Sequence, residues 1–478
     1  MAVQDMTARK PVIVWIRRDL RLADNPALLE AARTGRSVIP VFIADGTLAG
    51  LGAAPEWRLK LGVQHFAETL RRTGSRLLFR QGEALPVLRA LVAETGATDV
   101  YWNRAYHPDE IARDSEVKSE LKAIEITAKS FPGNLIFEPW QVQTGAGGFY
   151  RVFTPFWKNA RGLPVSDVMP APQTLRVPDH WPASDNLAAW ASRHRMNRGA
   201  AIVAPYLLLG EQAAQHRLQA FCDERLQDYA RDRDFPAKPA TSGLSEPLAY
   251  GEISPRQIWQ RAKVLWEQGV GGAETFLKEL VWREFAYHLM YHTPHILTRN
   301  WRAEWDAFPW NTDENHPHVI AWKQGRTGMP FVDAAMRELY VTGRMHNRGR
   351  MIVASYLTKH LMTDWRIGQR WFSDCLTDWD PASNAMGWQW AAGCGPDAAP
   401  YFRVFNPETQ LQKFDPGGTY RHAWIAEGDL CASETAQYYF KAIPRSWHLQ
   451  AGNTYPAPVV TVKDGRERAL SAYETRSF

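Results

Sequence analysis

Between residues 11 and 140 short β-rich runs alternate with amphipathic helical stretches, and beyond Asn197 the helical period takes over almost completely. The runs are P-V-I-V-W-I, S-V-I-P-V-F-I, R-L-L-F-R, D-V-Y-W-N and I-T-A-K-S-F. Strand, helix, strand at this rhythm calls for a parallel sheet, because parallel neighbours can be joined only through a crossover. Asn25 as N-cap and Pro26 at the first helical position open the first helix. Further helices are expected from about Trp57, over Glu83 to Thr95, and after Pro108. Prolines recur without period from Pro164 to Pro182, which marks a connector. The fold expected is an α/β domain with a Rossmann-like, five-stranded parallel sheet over 1–140, a connector over 141–200, and an all-α domain over 201–478.

Composition narrows the class. With 478 residues at 45% hydrophobic content the chain can bury more than one core. No run is long and apolar enough to span a bilayer, and the start M-A-V-Q-D-M-T-A-R-K lacks a signal-peptide stretch, so a cytoplasmic protein is expected. Cys222, Cys375, Cys394 and Cys431 are too scattered for a disulfide framework or metal spacing, and read as reduced, mostly buried thiols. A net charge of +5 is too small to announce a polyanion partner, so any phosphate-binding face must be local.

The turn after the first run reads R-R-D-L-R-L-A-D-N-P, without the G-x-G-x-x-G fingerprint, so the sheet is not expected to hold a dinucleotide in the Rossmann manner. The chemistry gathers later. Thr241-Ser242-Gly243-Leu244-Ser245 offers hydroxyl and backbone donors suited to a phosphate, although most such runs are simple helix caps or turns. Glu279, Trp282 and Arg283 lie at i, i+3 and i+4, either lining a pocket or forming a surface ion pair beside a core tryptophan. Asn347, Arg350 and Met351 share a helix face from which Arg348 points away. Asp378 and Asp380 precede Pro381 and suit a helix N-terminus, with Asn384 and Trp388 one turn apart behind them. No histidine or cysteine joins the aspartates at ligand spacing, so no metal is expected.

The motifs R-R-D-L-R-L-A-D-N-P-A-L, T-S-G-L-S, E-L-V-W-R-E-F, T-G-M-P-F-V-D-A-A-M-R, H-N-R-G-R-M and N-A-M-G-W-Q-W together resemble the photolyase/cryptochrome family over essentially the whole chain, most closely its class III cyclobutane pyrimidine dimer photolyases. That resemblance implies a U-shaped FAD, active as FADH⁻, in the helical domain, and an antenna chromophore, methenyltetrahydrofolate, on the α/β domain. Tyr229, Thr241, Ser242, Gly243, Leu244 and Ser245 would hold the diphosphate and ribityl side. Arg283, Arg350, Asp378, Asp380 and Asn384 would surround the rest, with an Arg350–Asp378 ion pair and Asn384 facing flavin N5.

The implied partner is UV-damaged DNA, bound by a monomer. A flipped-out dimer would sit between Trp282 and Trp390, with Asn347 and Met351 completing the fit and Arg233 and Arg348 on the flanking phosphates. Glu279, protonated through burial, would hydrogen-bond a pyrimidine carbonyl, and Trp388, Trp365 and Trp310 would relay electrons to an oxidised flavin. Asparagine at 384 replaces the aspartate of plant-type and the cysteine of animal cryptochromes. Asn347 stands where (6-4) photolyases carry histidine, and Met351 and Trp390 where the DASH branch has glutamine and tyrosine. The alternative is a cryptochrome-like photoreceptor signalling through a protein partner. Arg17, Arg18 and Arg21 are expected to serve domain packing, as are Cys394 and Tyr401 in the core.

Overall fold

A computed structural model describes residues 10–397 and 402–476. Tyr401 lies outside these described residues. The five runs form strands β1 (Val12–Ile16), β2 (Val38–Ala44), β3 (Leu78–Gln81), β4 (Asp99–Asn103) and β5 (Thr127–Phe131). All four pairings are parallel, in the order β3-β2-β1-β4-β5. Every residue of β1 and β4 is buried, which is why β1 is apolar throughout and β4 keeps an apolar middle, Val100 to Trp102, between Asp99 and Asn103. Asn25 caps the Pro26–Arg33 helix by accepting from the Leu28 N–H at 3.2 Å.

The second helix, Ala53–Arg72, begins earlier than the expected Trp57. Its cap comes from the other half of the chain: the Asp374 carboxylate accepts the Ala53 N–H at 2.8 Å. Gly52 permits the approach, since a β-carbon there would lie 2.0 Å from the Ser373 carbonyl oxygen.

Beyond Phe131 the described residues form no further named strand, only isolated bridges at Gln143–Phe149 and Asn311–Thr363. Helices build the rest, the longest being Ala273–His292. The proline-rich connector carries no helix between Ala160 and Leu187 and returns along the sheet, with the Met169 and Arg176 carbonyls accepting from Asp24 and Val38, each at 2.8 Å.

Buried ions join the two halves. Arg58, fully buried on the Ala53–Arg72 helix, bonds Glu246 at 2.5 Å and Glu252 at 2.6 Å. Arg256 pairs with Asp24 at 2.9 Å, and the Glu284 carboxylate accepts the Ile136 and Phe137 N–H groups at 2.7 and 3.2 Å. Removing one member of such a set strands a desolvated charge, so the halves are held in register. Arg21 joins this seam by donating to the Gly251 carbonyl at 3.0 Å, and the Arg18 guanidinium lies 5.6 Å from the Trp379 ring centre. Arg17 instead pairs with Asp114 inside the α/β half.

Among the described residues no helix is long and apolar enough to cross a membrane. Cys222 and Cys394 are buried, Cys375 is half-buried and Cys431 is exposed, all four as free thiols.

Candidate functional site

A cavity of about 1040 Å³ opens inside the helical half. Its lining includes Tyr229 and Arg233; the Thr241–Ser245 turn; Glu279, Trp282 and Arg283; Asn347, Arg350 and Met351; and Asp378, Asp380, Asn384, Trp388 and Trp390. Helical spacing explains the grouping, because residues three and four apart on the Ala273–His292 and Asn347–Ser355 helices project together.

At one end the Thr241–Ser245 turn precedes a short helix, Ser245–Ala249. Gly243 takes φ +64°, a left-handed conformation that strains other residues, and a β-carbon there would sit 3.3 Å from Arg217 Cδ. Arg217 donates to the Gly243 carbonyl, fixing the turn from behind and leaving the hydroxyls of Thr241 and Ser242 at the cavity. Ser245 spends its hydroxyl internally, donating to Asp378 Oδ2 at 2.7 Å.

Asp378 is the hub of the middle. Arg350 reaches its two oxygens from Nη2 at 2.9 and 2.7 Å while its Nε donates to the Met345 carbonyl at 2.9 Å. Asp380 has a different duty, capping the Pro381–Ala392 helix by accepting from Ser383 N at 2.7 Å and taking the Tyr287 hydroxyl on its other oxygen. Arg283 lies along the Tyr287 ring, 4.8 Å from its centre, and bonds the Asn134 carbonyl and Glu284. Asn384 Nδ2 donates to the Gln369 carbonyl at 3.1 Å. That bond orients the amide and leaves Oδ1 as an acceptor.

The other end is aromatic. Trp282 stacks on Phe153 with ring centres 3.7 Å apart and planes 8° from parallel, so the indole is braced before any ligand arrives. Trp390 is half-buried nearby. Exposed Asn347 approaches Met351 one turn on, its Nδ2 lying 3.9 Å from the sulfur.

One expectation is corrected here, and two cations have partners that spacing did not show. The burial that was to keep Glu279 protonated is missing: its side chain is 34% exposed and Oε1 accepts from Arg233. Arg233 is consequently an ion-pair partner, packed over the Tyr229 ring. Arg348 does not line the cavity; it pairs with Asp234 at 2.5 Å and lies 4.4 Å from the Phe414 ring centre. Spacing along one helix could not reveal these partners, since Asp234 and Phe414 come from distant segments.

Trp388 lines the cavity, whereas Trp365 and Trp310 lie outside the lining. The Trp388 ring presses on Gly368, one turn along the helix that Trp365 begins; a β-carbon at Gly368 would meet it at 2.0 Å. Trp365 is fully buried, with its indole N–H donating to Asn300 Oδ1 at 2.8 Å. Asn311, next to half-buried Trp310, bonds across to Met362 and Asp364 just before Trp365. The three indoles therefore step outward along connected backbone. Trp322, whose ring centre lies 6.1 Å from that of Trp388, is a further buried indole beside it.

Sequence reasoning missed Glu338, Arg344 and His346, all of which line the cavity. His346 was visible as the residue before the Asn347 helix, where it is the N-cap, accepting the Arg348 N–H on Nδ1 at 3.1 Å. Burial holds its imidazole down to about 4, and Nε2 has no hydrogen-bond partner among the described residues. Among the described residues no cluster of three or more His, Cys, Asp or Glu is placed to hold a metal ion.

A large cavity with a hydroxyl-rich turn, a neutralised ion pair, an oriented amide acceptor and a braced aromatic end fits a long phosphate-bearing cofactor with an aromatic substrate beside it. Comparison with known proteins gives the same picture. A family model described as DNA photolyase matches residues 12–174, and one described as the FAD binding domain of DNA photolyase matches 276–475. A deoxyribodipyrimidine photo-lyase of Agrobacterium fabrum is 45% identical over 469 residues, 97% of each chain. The crystal structure of a bacterial class III photolyase from Agrobacterium tumefaciens aligns with a TM-score of 0.90 at 43% identity, covering 99% of each chain. A Synechocystis cryptochrome aligns at 0.83 and 30% identity, covering 97% of this chain and 99% of that one.

Proposed function

This chain belongs to the photolyase/cryptochrome family, and from that premise we propose that it is a deoxyribodipyrimidine photo-lyase, repairing cyclobutane pyrimidine dimers in UV-damaged DNA under blue light. The carrying observation is one continuous cavity that joins the Thr241–Ser245 turn and the Asn384 amide to an aromatic end built from Trp282 and Trp390.

In this reading Thr241, Ser242 and the Gly243 turn hold the diphosphate of FAD, Tyr229 and Leu244 flank it, and Arg350–Asp378 packs a neutral pair beside the flavin. Arg283, Asp380 and the Asn384 Oδ1 acceptor complete that shell. Bound there in reduced form, FAD supplies the light-driven electron that opens the dimer. The protein's own groups do the rest. Trp282 and Trp390 stack on the extruded bases, each contact contributing about 1–3 kcal/mol, enough to offset the few kcal/mol that unstacking costs. Glu279, paired to Arg233, offers Oε2 to a ring N–H of the dimer, and Asn347 and Met351 close the fit. Trp388, Trp365 and Trp310 form the relay that restores the reduced cofactor. Residues 1–140 serve as the antenna domain, for which class III resemblance favours methenyltetrahydrofolate, 141–200 as connector, and 201–478 as the FAD and lesion domain of a cytoplasmic monomer.

The test is light-dependent recovery of thymine absorbance from a dimer-containing oligonucleotide, with reduced protein, a dark control and Glu279→Ala. Recovery that falls sharply in the variant supports the assignment. No recovery from protein holding reduced FAD would transfer it to a photoreceptor. Trp388→Phe is expected to block photoreduction while sparing repair by chemically reduced protein.

A further inference from the structure

Glu338 has no part in the roles above, yet it stands at the cavity wall. It lies on the Pro330–Thr342 helix, and its Oε2 accepts the Tyr420 hydroxyl at 2.5 Å and the His346 backbone N–H at 3.3 Å. His346 is the N-cap of the Asn347–Ser355 helix. The carboxylate therefore sits against the N-terminal turn of the helix that carries Asn347, Arg350 and Met351, where negative charge is favoured. Oε1 takes no hydrogen bond among the described residues, and the residue is half-buried on a wall of the cavity.

We infer that Glu338 is the positioning residue of the lesion site: ionised, it locks the His346 turn and holds Asn347 and Met351 against the flipped dimer; protonated, it loosens that turn. This rests on the function proposed above. Burial pushes the Glu338 carboxyl up to about 7, against the pull of the Tyr420 hydroxyl, the His346 N–H and Arg350, so both states are populated near neutrality. The surrounding groups stay constant there. Arg350 shares its charge with Asp378, the buried Tyr420 phenol is pushed far up and remains a donor, and the His346 ring stays neutral. Asp415, behind Tyr420, is engaged by the Tyr420 and Arg421 backbone N–H groups.

The experiment measures binding of dimer-containing and undamaged oligonucleotides in the dark by FAD-loaded protein between about pH 6 and about pH 8.5. Affinity for the dimer is expected to fall roughly fivefold on acidification, the scale of one charge-assisted helix-terminal hydrogen bond, with undamaged DNA unaffected. Glu338→Gln keeps shape and acceptor but not charge; it is expected to give a flat profile at the weaker level with flavin absorbance intact. Tyr420→Phe removes a bond to the charged form and is expected to move the midpoint to higher pH. A Glu338→Gln protein with the wild-type profile, or with wild-type affinity at the alkaline end, overturns the inference. Wild-type protein that never prefers the dimer overturns the functional reading itself.

Discussion

At the carboxyl end of the sheet, beside the β1/β4 junction where strand order reverses, an open α/β fold generally receives its ligand. Here the protein's own side chains occupy that neighbourhood. Trp15 lies between two guanidinium groups, Arg17 at 4.7 Å and Arg113 at 4.6 Å from its ring centre; these pair with Asp114 and Asp45, and Asn103 bonds both Asp19 and Asn25. The helical cavity differs in kind: it combines volume with polar groups that keep bonding capacity, such as Asn384 Oδ1 and the Thr241 and Ser242 hydroxyls. The fold's generic ligand position is thus packed as core, and the site lies where space and unspent hydrogen-bonding capacity coincide.

Substitutions in the two places are expected to separate stability from cofactor retention. Asp378→Ala strands Arg350 and should cost about 4 kcal/mol of unfolding free energy together with the bound flavin, read by urea titration and by visible absorbance after gel filtration. Trp15→Ala is expected to cost about 3 kcal/mol through the cavity it leaves, with flavin content and lesion affinity unchanged. Flavin loss in the second variant would break the distinction, because the sheet end would then be supporting the cofactor.

Buried histidines sharpen it further. Burial holds His288 and His360 down to about 4, below their ordinary 6.5. The unfolded chain takes up these protons first, so stability is full above about 6.5 and is lost as pH falls toward 4. At pH 5 each contributes a loss of roughly 2 kcal/mol, measurable as the pH dependence of the denaturation midpoint. Neither His360 ring nitrogen has a partner among the described residues, yet His360 lines no part of the helical cavity. An unmet polar atom without space is a cost and not a site. His360→Leu is accordingly expected to change stability at neutral pH by less than about 1 kcal/mol and to flatten the acid limb.

The strands were readable because β1 is buried on both faces and apolar at every position, and β4 carries an unbroken apolar middle, a local signature of a tertiary fact. The start of the Ala53–Arg72 helix was not readable, since its cap is Asp374, far along the chain. Within the site, Asn347, Arg350 and Met351 were grouped correctly by helical spacing, and Arg350–Asp378 by the family resemblance. The Glu279–Arg233 and Arg348–Asp234 pairs were not legible because a lone charged side chain does not announce its partner. Glu338 escaped notice for a related reason: it reads as the ordinary polar face of an amphipathic helix until the cavity shows what that face meets.

The buried Arg58–Glu246–Glu252 cluster also bears on biosynthesis. Glu246 immediately follows the phosphate-suited turn, and while Arg344 pairs with one of its oxygens, the buried countercharge on the other comes from a helix 188 residues earlier. During translation that helix can fold with its sheet long before the turn leaves the ribosome, as N-terminal domains generally do. The first half of the chain thus acts as an intramolecular template for the Thr241–Ser245 turn. A helical half expressed alone would keep only Arg344 as a partner for Glu246 and would have to bury Glu252 without Arg58, so splitting this protein at its connector should yield one soluble product and one client for chaperones.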